Sequence, residues 1–184
     1  MKPSPITIVE ALKIKLMQFP KLVDSLQNKE SSFLSNLENW MREIELIFKN
    51  NNISSVSEIA GLRSKIVAPL FSDSQNRSAR KRQIQVASEC LYDIQSTVLA
   101  IVNPYEIKIY EAREIVSQLL QILSQSGSLK FNNTDFQGFV NQIWTVFSTH
   151  EQLRPSTAKI LTLIPQMDAV RLIAEEINLE DFSG

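Results

Sequence analysis

Residues 76–83 read NRSARKRQ and hold four cations, Arg77, Arg80, Lys81 and Arg82, within six positions. Clustered guanidinium and ammonium groups can neutralise phosphate oxygens or pair with carboxylates on a protein surface. An apolar series follows them at three- and four-residue spacing: Ile84, Ala87, Leu91, Ile94, Val98 and Ile101. Continued backwards, that spacing puts Arg80 and Arg77 on the same face, with Lys81 at its border. Arg82 points about 200° away from Arg80, at about 100° per residue. The expectation is one unbroken rod over 77–101 whose apolar seam runs into a basic end. Cations at a helix N-terminus oppose its dipole by a few tenths of a kcal/mol each. The patch therefore reads in one of three ways: a solvated helix end, a site for protein carboxylates, or a site for phosphate. Acidic residues are available in the stretch AEEINLEDF, which carries Glu175, Glu176, Glu180 and Asp181. Those carboxylates can meet the basic patch within one chain or between two.

Other chemistries have little material. His150 is the only histidine and Cys90 the only cysteine. A Ser–His–Asp triad, a multi-histidine metal site or a thiolate cluster needs more. His150 is expected near the end of a helix in a structural or surface role, and Cys90 as a small buried hydrophobe. Glu111 and Glu114 are three apart, but a carboxylate pair without a Glu-x-x-His partner on a facing helix is a weak signal for a di-metal site. There is no phosphate-loop lysine motif and no dinucleotide fingerprint, and the chain has only four glycines. No cofactor and no catalytic constellation are expected. Net charge is −1, so bulk attraction to nucleic acid or anionic lipid is absent and electrostatic recognition must be local.

The elements that would position these groups are helical. The 184 residues, 43% hydrophobic and 21% charged, suit a single α-helical domain over 1–184. Val9, Leu12, Leu16, Phe19, Val23 and Leu26 define a first helical stretch, with a kink expected at Pro20, or two short helices meeting near Phe19. A second runs over about 32–50 through Leu34, Leu37, Met41, Ile44 and Phe48. Ser55-x-x-Glu58 reads as a capping box opening a third, through Ile59, Leu62, Ile66 and Leu70. The fourth carries the cations. NPYE at 103–106 predicts a tight corner, with Asn103 as cap and Pro104 at the first helical position. A fifth helix then uses Ile109, Ala112, Val116, Leu119 and Leu123 and ends near Gly127. A sixth is expected to be capped by Thr134, with Gln137 at its third position. A seventh spans about 156–178, bent at Pro165. Trp40 and Trp144 fall on apolar faces and belong to the core. Tyr92, Tyr105 and Tyr110 gather near the expected corner as a recognition rim.

The fold expected is all-α, a bundle of six or seven mostly antiparallel amphipathic helices joined by short loops. No signal-peptide pattern and no membrane-spanning apolar run is seen, and the lone cysteine fits the cytoplasm. The function expected is non-enzymatic protein–protein contact, with a protein partner or as a homodimer. One alternative is a nucleic-acid-associated helical protein using the patch at 77–82. That reading lacks interleaved aromatics and a basic overall charge. The other alternative is a bundle with a small-molecule pocket.

Overall fold

A computed structural model of the chain describes residues 3–72, 76–131 and 135–182, and the side chains at 72, 76 and 77 lie outside the description. The protein is all-α. Among the described residues the elements are α1 (Pro5–Gln27), α2 (Phe33–Asn50), α3 (Val56–Val67), α4 (Pro69–Ser72), α5 (Asn76–Ser126), α6 (Phe136–Thr149), α7 (Arg154–Leu163) and α8 (Gln166–Glu176), followed by a 3₁₀ turn at Leu179–Phe182. They divide into two compact units. One comprises Thr7–Asn103, the other Met1–Ile6 with Pro104–Gly184.

In the Thr7–Asn103 unit, α2 turns one face inward. Phe33, Leu37, Trp40, Met41, Ile44 and Phe48 are all buried. Trp40 stacks at a tilt on Phe19 of α1, with 5.3 Å between ring centres. Its indole N–H donates to the carbonyl of Lys15 at 2.9 Å, so its one polar atom is satisfied. α3 is tied to α2 by Arg63, whose guanidinium donates to both Glu45 oxygens at 2.6 and 3.2 Å. That hydrogen bond to Glu45 raises the Arg63 pKa above its ordinary value, against the opposing effect of burial. The Ser55 hydroxyl reaches Glu58 at 3.5 Å but makes no cap bond to the backbone. The two residues of the expected capping box thus bond to each other through their side chains instead of capping the backbone.

In the other unit, the second half of α5 packs Ala112, Val116, Leu119, Leu120 and Leu123 against α6, α7 and α8. Phe139 sits between Phe131 and Phe182, with ring centres 5.1 and 5.5 Å away. The Phe131 N–H donates to the Phe182 carbonyl at 3.0 Å, which fixes the 3₁₀ turn against the segment after α5. Asp168, in the first turn of α8, is 2% exposed. Its carboxylate accepts from the Ser4 hydroxyl at 2.6 Å and from the Ile6 N–H at 3.1 Å. It is a cap supplied from a distant element to an orphan donor at the start of α1.

Pro104 departs from expectation. α1 runs through Pro20 and α5 through Pro104 as continuous helices, so there is no corner at Asn103. Proline in a helix interior costs about 3 kcal/mol. Here Asn103 and Pro104 point into solvent and disturb no packed neighbour. Val98 and Val102 before them, and Ala112 and Val116 after them, are fully buried. Burial of that kind contributes about 1.5–3 kcal/mol per valine and outweighs the local corner preference. Pro165 does break the expected seventh helix, into α7 and α8. Ile164 takes an extended conformation, φ −136° and ψ 157°, as residues before proline favour. The break lets Ile164, Leu172 and Ile173 enter one core. The cap of α6 is Asp135, which accepts from the Gly138 N–H at 2.8 Å. The expected cap, Thr134, lies outside the described residues. Gly127 closes α5 with φ 61°, as a left-handed cap should.

Candidate functional site

Where α3 gives way to α4, the chain leaves two large apolar side chains in water. Leu70 is 47% exposed and Phe71 86% exposed. The sequence pattern placed Leu70 in the buried stripe of the third helix. Ala68 alone separates α3 from α4, which opens at Pro69, and the stripe ends at Ile66. Two surface depressions adjoin α4. One, of about 500 Å³, is bordered by Leu70, Leu34, Glu38 and Arg80. The other, of about 520 Å³, is bordered by Pro69, Lys65, Arg82 and Glu89.

α5 supplies an arginine to each depression. The rod expected over 77–101 is unbroken, but its buried seam passes through Ala79, Ala87, Cys90, Ile94, Val98 and Val102. Ile84, Leu91 and Ile101 are only half-buried at its edge. The seam therefore does not run into Arg80. Alanine stands at the position nearest the neighbouring helices, and Arg80, Lys81 and Arg82 are all exposed. Arg80 donates to the Ser31 carbonyl at 2.8 Å. Arg80 and Arg82, about 200° apart on the helix, border different depressions, while Lys81 lies opposite Ala79. The fourth predicted cation, Arg77, has a side chain outside the description.

The acidic stretch pairs elsewhere. Arg113 donates to Glu175 at 2.8 Å and also to Glu176. Arg171 donates to Glu175 at 2.9 Å, and Ser117 to Glu176 at 3.0 Å. Burial opposes the Arg113 charge, yet the hydrogen bonds to Glu175 and Glu176 raise its pKa above the usual value. Burial likewise works against the Glu175 carboxylate, and the bonds from Arg113 and Arg171 outweigh it and lower its pKa. Within the chain, Glu175 and Glu176 pair in this cluster on α5 and α8, and Asp181 accepts from the Asn178 amide at 3.3 Å. Arg113 lies on the same side of α5 as the buried Ala112 and Val116, and as a single cation between Glu111 and Glu114 it forms no charge run in the sequence.

Other predicted groups fall as follows. His150 is exposed and ends α6, its N–H bonded to the Val146 carbonyl at 2.9 Å. Cys90 is buried, and burial pushes its thiol pKa up, with Lys65 opposing that shift. Glu111 and Glu114 are exposed. Trp40 and Trp144 are buried in their respective units. Tyr92 and Tyr110 are exposed and Tyr105 is half-buried, with Lys108 above its ring at 5.8 Å. Among the described residues, no three His, Cys, Asp or Glu side chains converge as a metal site, and no helix is long and apolar enough to cross a membrane. The chain matches no protein-family model, no curated protein and no solved structure.

Proposed function

We propose that the protein is non-enzymatic and acts through protein–protein contact, self-association as a homodimer included. The observation that carries this reading is the Leu70–Phe71 pair, held in water beside two depressions while the core of its unit is filled by other side chains. An exposed aromatic next to arginine is the composition of an interface anchor. Covering a phenylalanine of this exposure is worth about 1.5–3 kcal/mol to a complex. For self-association, α5 offers Tyr92 and Leu99, 76% and 37% exposed and seven positions apart on one face. The unpaired Cys90 suits a reducing compartment, and the cytoplasm is the location we propose.

Light scattering across a concentration series tests the homodimer. The expected result is a mass that rises with concentration and a Tyr92→Glu variant that stays monomeric. A monomer at every concentration up to the high micromolar range removes the homodimer and leaves contact with a different protein as the form to test.

A further inference from the structure

We propose that α5 is hinged at Pro104 and that the two compact units move about it as separate bodies. The inference goes beyond the protein-contact reading and stands without it. The division between the units falls inside α5, between Asn103 and Pro104. Pro104 has no N–H to give to the Ala100 carbonyl, and its ring crowds that carbonyl, so the helix is weakest at this turn. Bends in helices concentrate at such prolines. Packing is interrupted at the same place. Buried residues recur along α5 at Cys90, Ile94, Val98 and Val102, and again at Ala112, Val116, Leu119 and Leu123. None from 103 to 111 is buried, a gap of about two and a half turns. Asn103, Pro104, Ile107 and Lys108 are exposed there. No fully buried side chain therefore clamps the helix where its hydrogen bonding is interrupted. The chain crosses between the units once more, in α1, between Ile6 and Thr7. Only Pro5 and Ile6 of α1 belong to the unit of α6, α7 and α8. Asp168 holds that first turn through Ser4 and Ile6. Pro3 and Pro5 border one depression of about 210 Å³ together with Tyr105 and Lys108, so the two crossings stand side by side. Adjacent crossings permit rotation about the line that joins them, whereas widely spaced ones would brace the units.

Double electron–electron resonance between nitroxide labels tests the hinge in the full chain. A Cys90→Ala background removes the only native thiol, and dilution with unlabelled chain restricts the reading to distances within one molecule. Lys49→Cys with Lys159→Cys spans the units. Lys21→Cys with Lys49→Cys, and Gln118→Cys with Lys159→Cys, each stay within one unit and set the control widths; all four positions are exposed. The spanning pair should give a broader distance distribution than either control. Pro104→Ala, which restores the donor to the Ala100 carbonyl, should remove the excess breadth, and Pro104→Gly should keep it. In the chain without labels or substitutions, the amides of 105–108 should exchange with deuterium ahead of those of 94–98 and 116–120.

A spanning pair as narrow as the controls overturns the proposal, because the units then form one rigid body. A Pro104→Ala chain that is folded by circular dichroism and still broad also overturns it, since the pliancy then lies elsewhere. Amides at 105–108 protected as well as those on either side overturn it without any variant.

Discussion

Asp168 can be tested with three substitutions whose outcomes differ in a way that only its geometry explains. One carboxylate oxygen accepts from the Ser4 hydroxyl at 2.6 Å, and the other accepts from the Ile6 N–H at 3.1 Å. Hydrogen bonds to a charged group contribute about 1.5–3 kcal/mol each. The Ser4 side is partly open to water, so Asp168→Ala should destabilise by about 3 kcal/mol rather than by the full sum. Asp168→Asn should do far less harm. Its carbonyl oxygen can accept from Ile6, and its amide can donate to the Ser4 hydroxyl, which rotates to receive it. A cost of about 1 kcal/mol or less is expected, from lost charge assistance alone. Ser4→Ala should cost about 1 kcal/mol, the value of one partly exposed bond. Urea denaturation provides the assay. Trp40 and Trp144 belong to different units, so a Trp40→Phe background makes the fluorescence of Trp144 report on the unit containing Asp168. At about 1–3 kcal/mol per molar urea, the alanine variant should move the midpoint down by roughly 1–3 M. The reasoning is refuted if Asn and Ala cost the same, or if Ala costs less than about 0.5 kcal/mol, since neither result fits a buried carboxylate that accepts on both oxygens.

Two further outcomes follow from the structure. The depressed pKa of Glu175 means its charged form is favoured by folding. Its contribution is complete above the ordinary carboxylate value and is lost as pH falls through the lower folded value, so stability should fall on acidification over that window. Arg113→Ala should flatten this dependence and cost about 1 kcal/mol at neutral pH, a modest figure because the pair is about a third exposed. Urea midpoints across an acidic pH series would show both effects. The glycines of α3 and α6 should respond in opposite senses. A Cβ at Gly61 meets nothing within 4 Å, so Gly61→Ala should stabilise by about 0.5–1 kcal/mol through helix propensity. A Cβ at Gly138 would sit 2.2 Å from the Asp135 carboxylate that caps α6. Gly138→Ala should therefore forfeit the cap, worth about 0.5–2 kcal/mol, and show no net gain in thermal unfolding.

Three- and four-residue apolar spacing was enough to establish from the sequence that the protein is helical, and it located α2 and α6 to within a residue or two. Each of those helices has one compact apolar face, so composition and burial agree. Gly127 was legible for a similar reason: few other residues tolerate a left-handed cap. The single histidine and single cysteine could be counted, and their surroundings follow from the helices that carry them.

Tertiary packing decided the rest. Asn103–Pro104 and Ile164–Pro165 look alike as local signals, yet α5 continues through the first and the chain breaks at the second. What separates them is whether the neighbouring side chains reach the core with the helix intact, a non-local condition. The seam of α5 could be predicted as a stripe but not to the residue. Small side chains such as Ala79 and Cys90 become the deepest points only when neighbouring helices approach them, and hydrophobicity alone ranks them below Ile84 and Leu91. That shift of one position moves Arg80 off the seam and into a depression beside Leu70. The cations of the candidate site were therefore visible in the chain, whereas the exposure of Leu70 and Phe71 depends on where α3 ends, and the Asp168 cap and the Arg113 cluster exist only because folding brings together residues far apart in sequence.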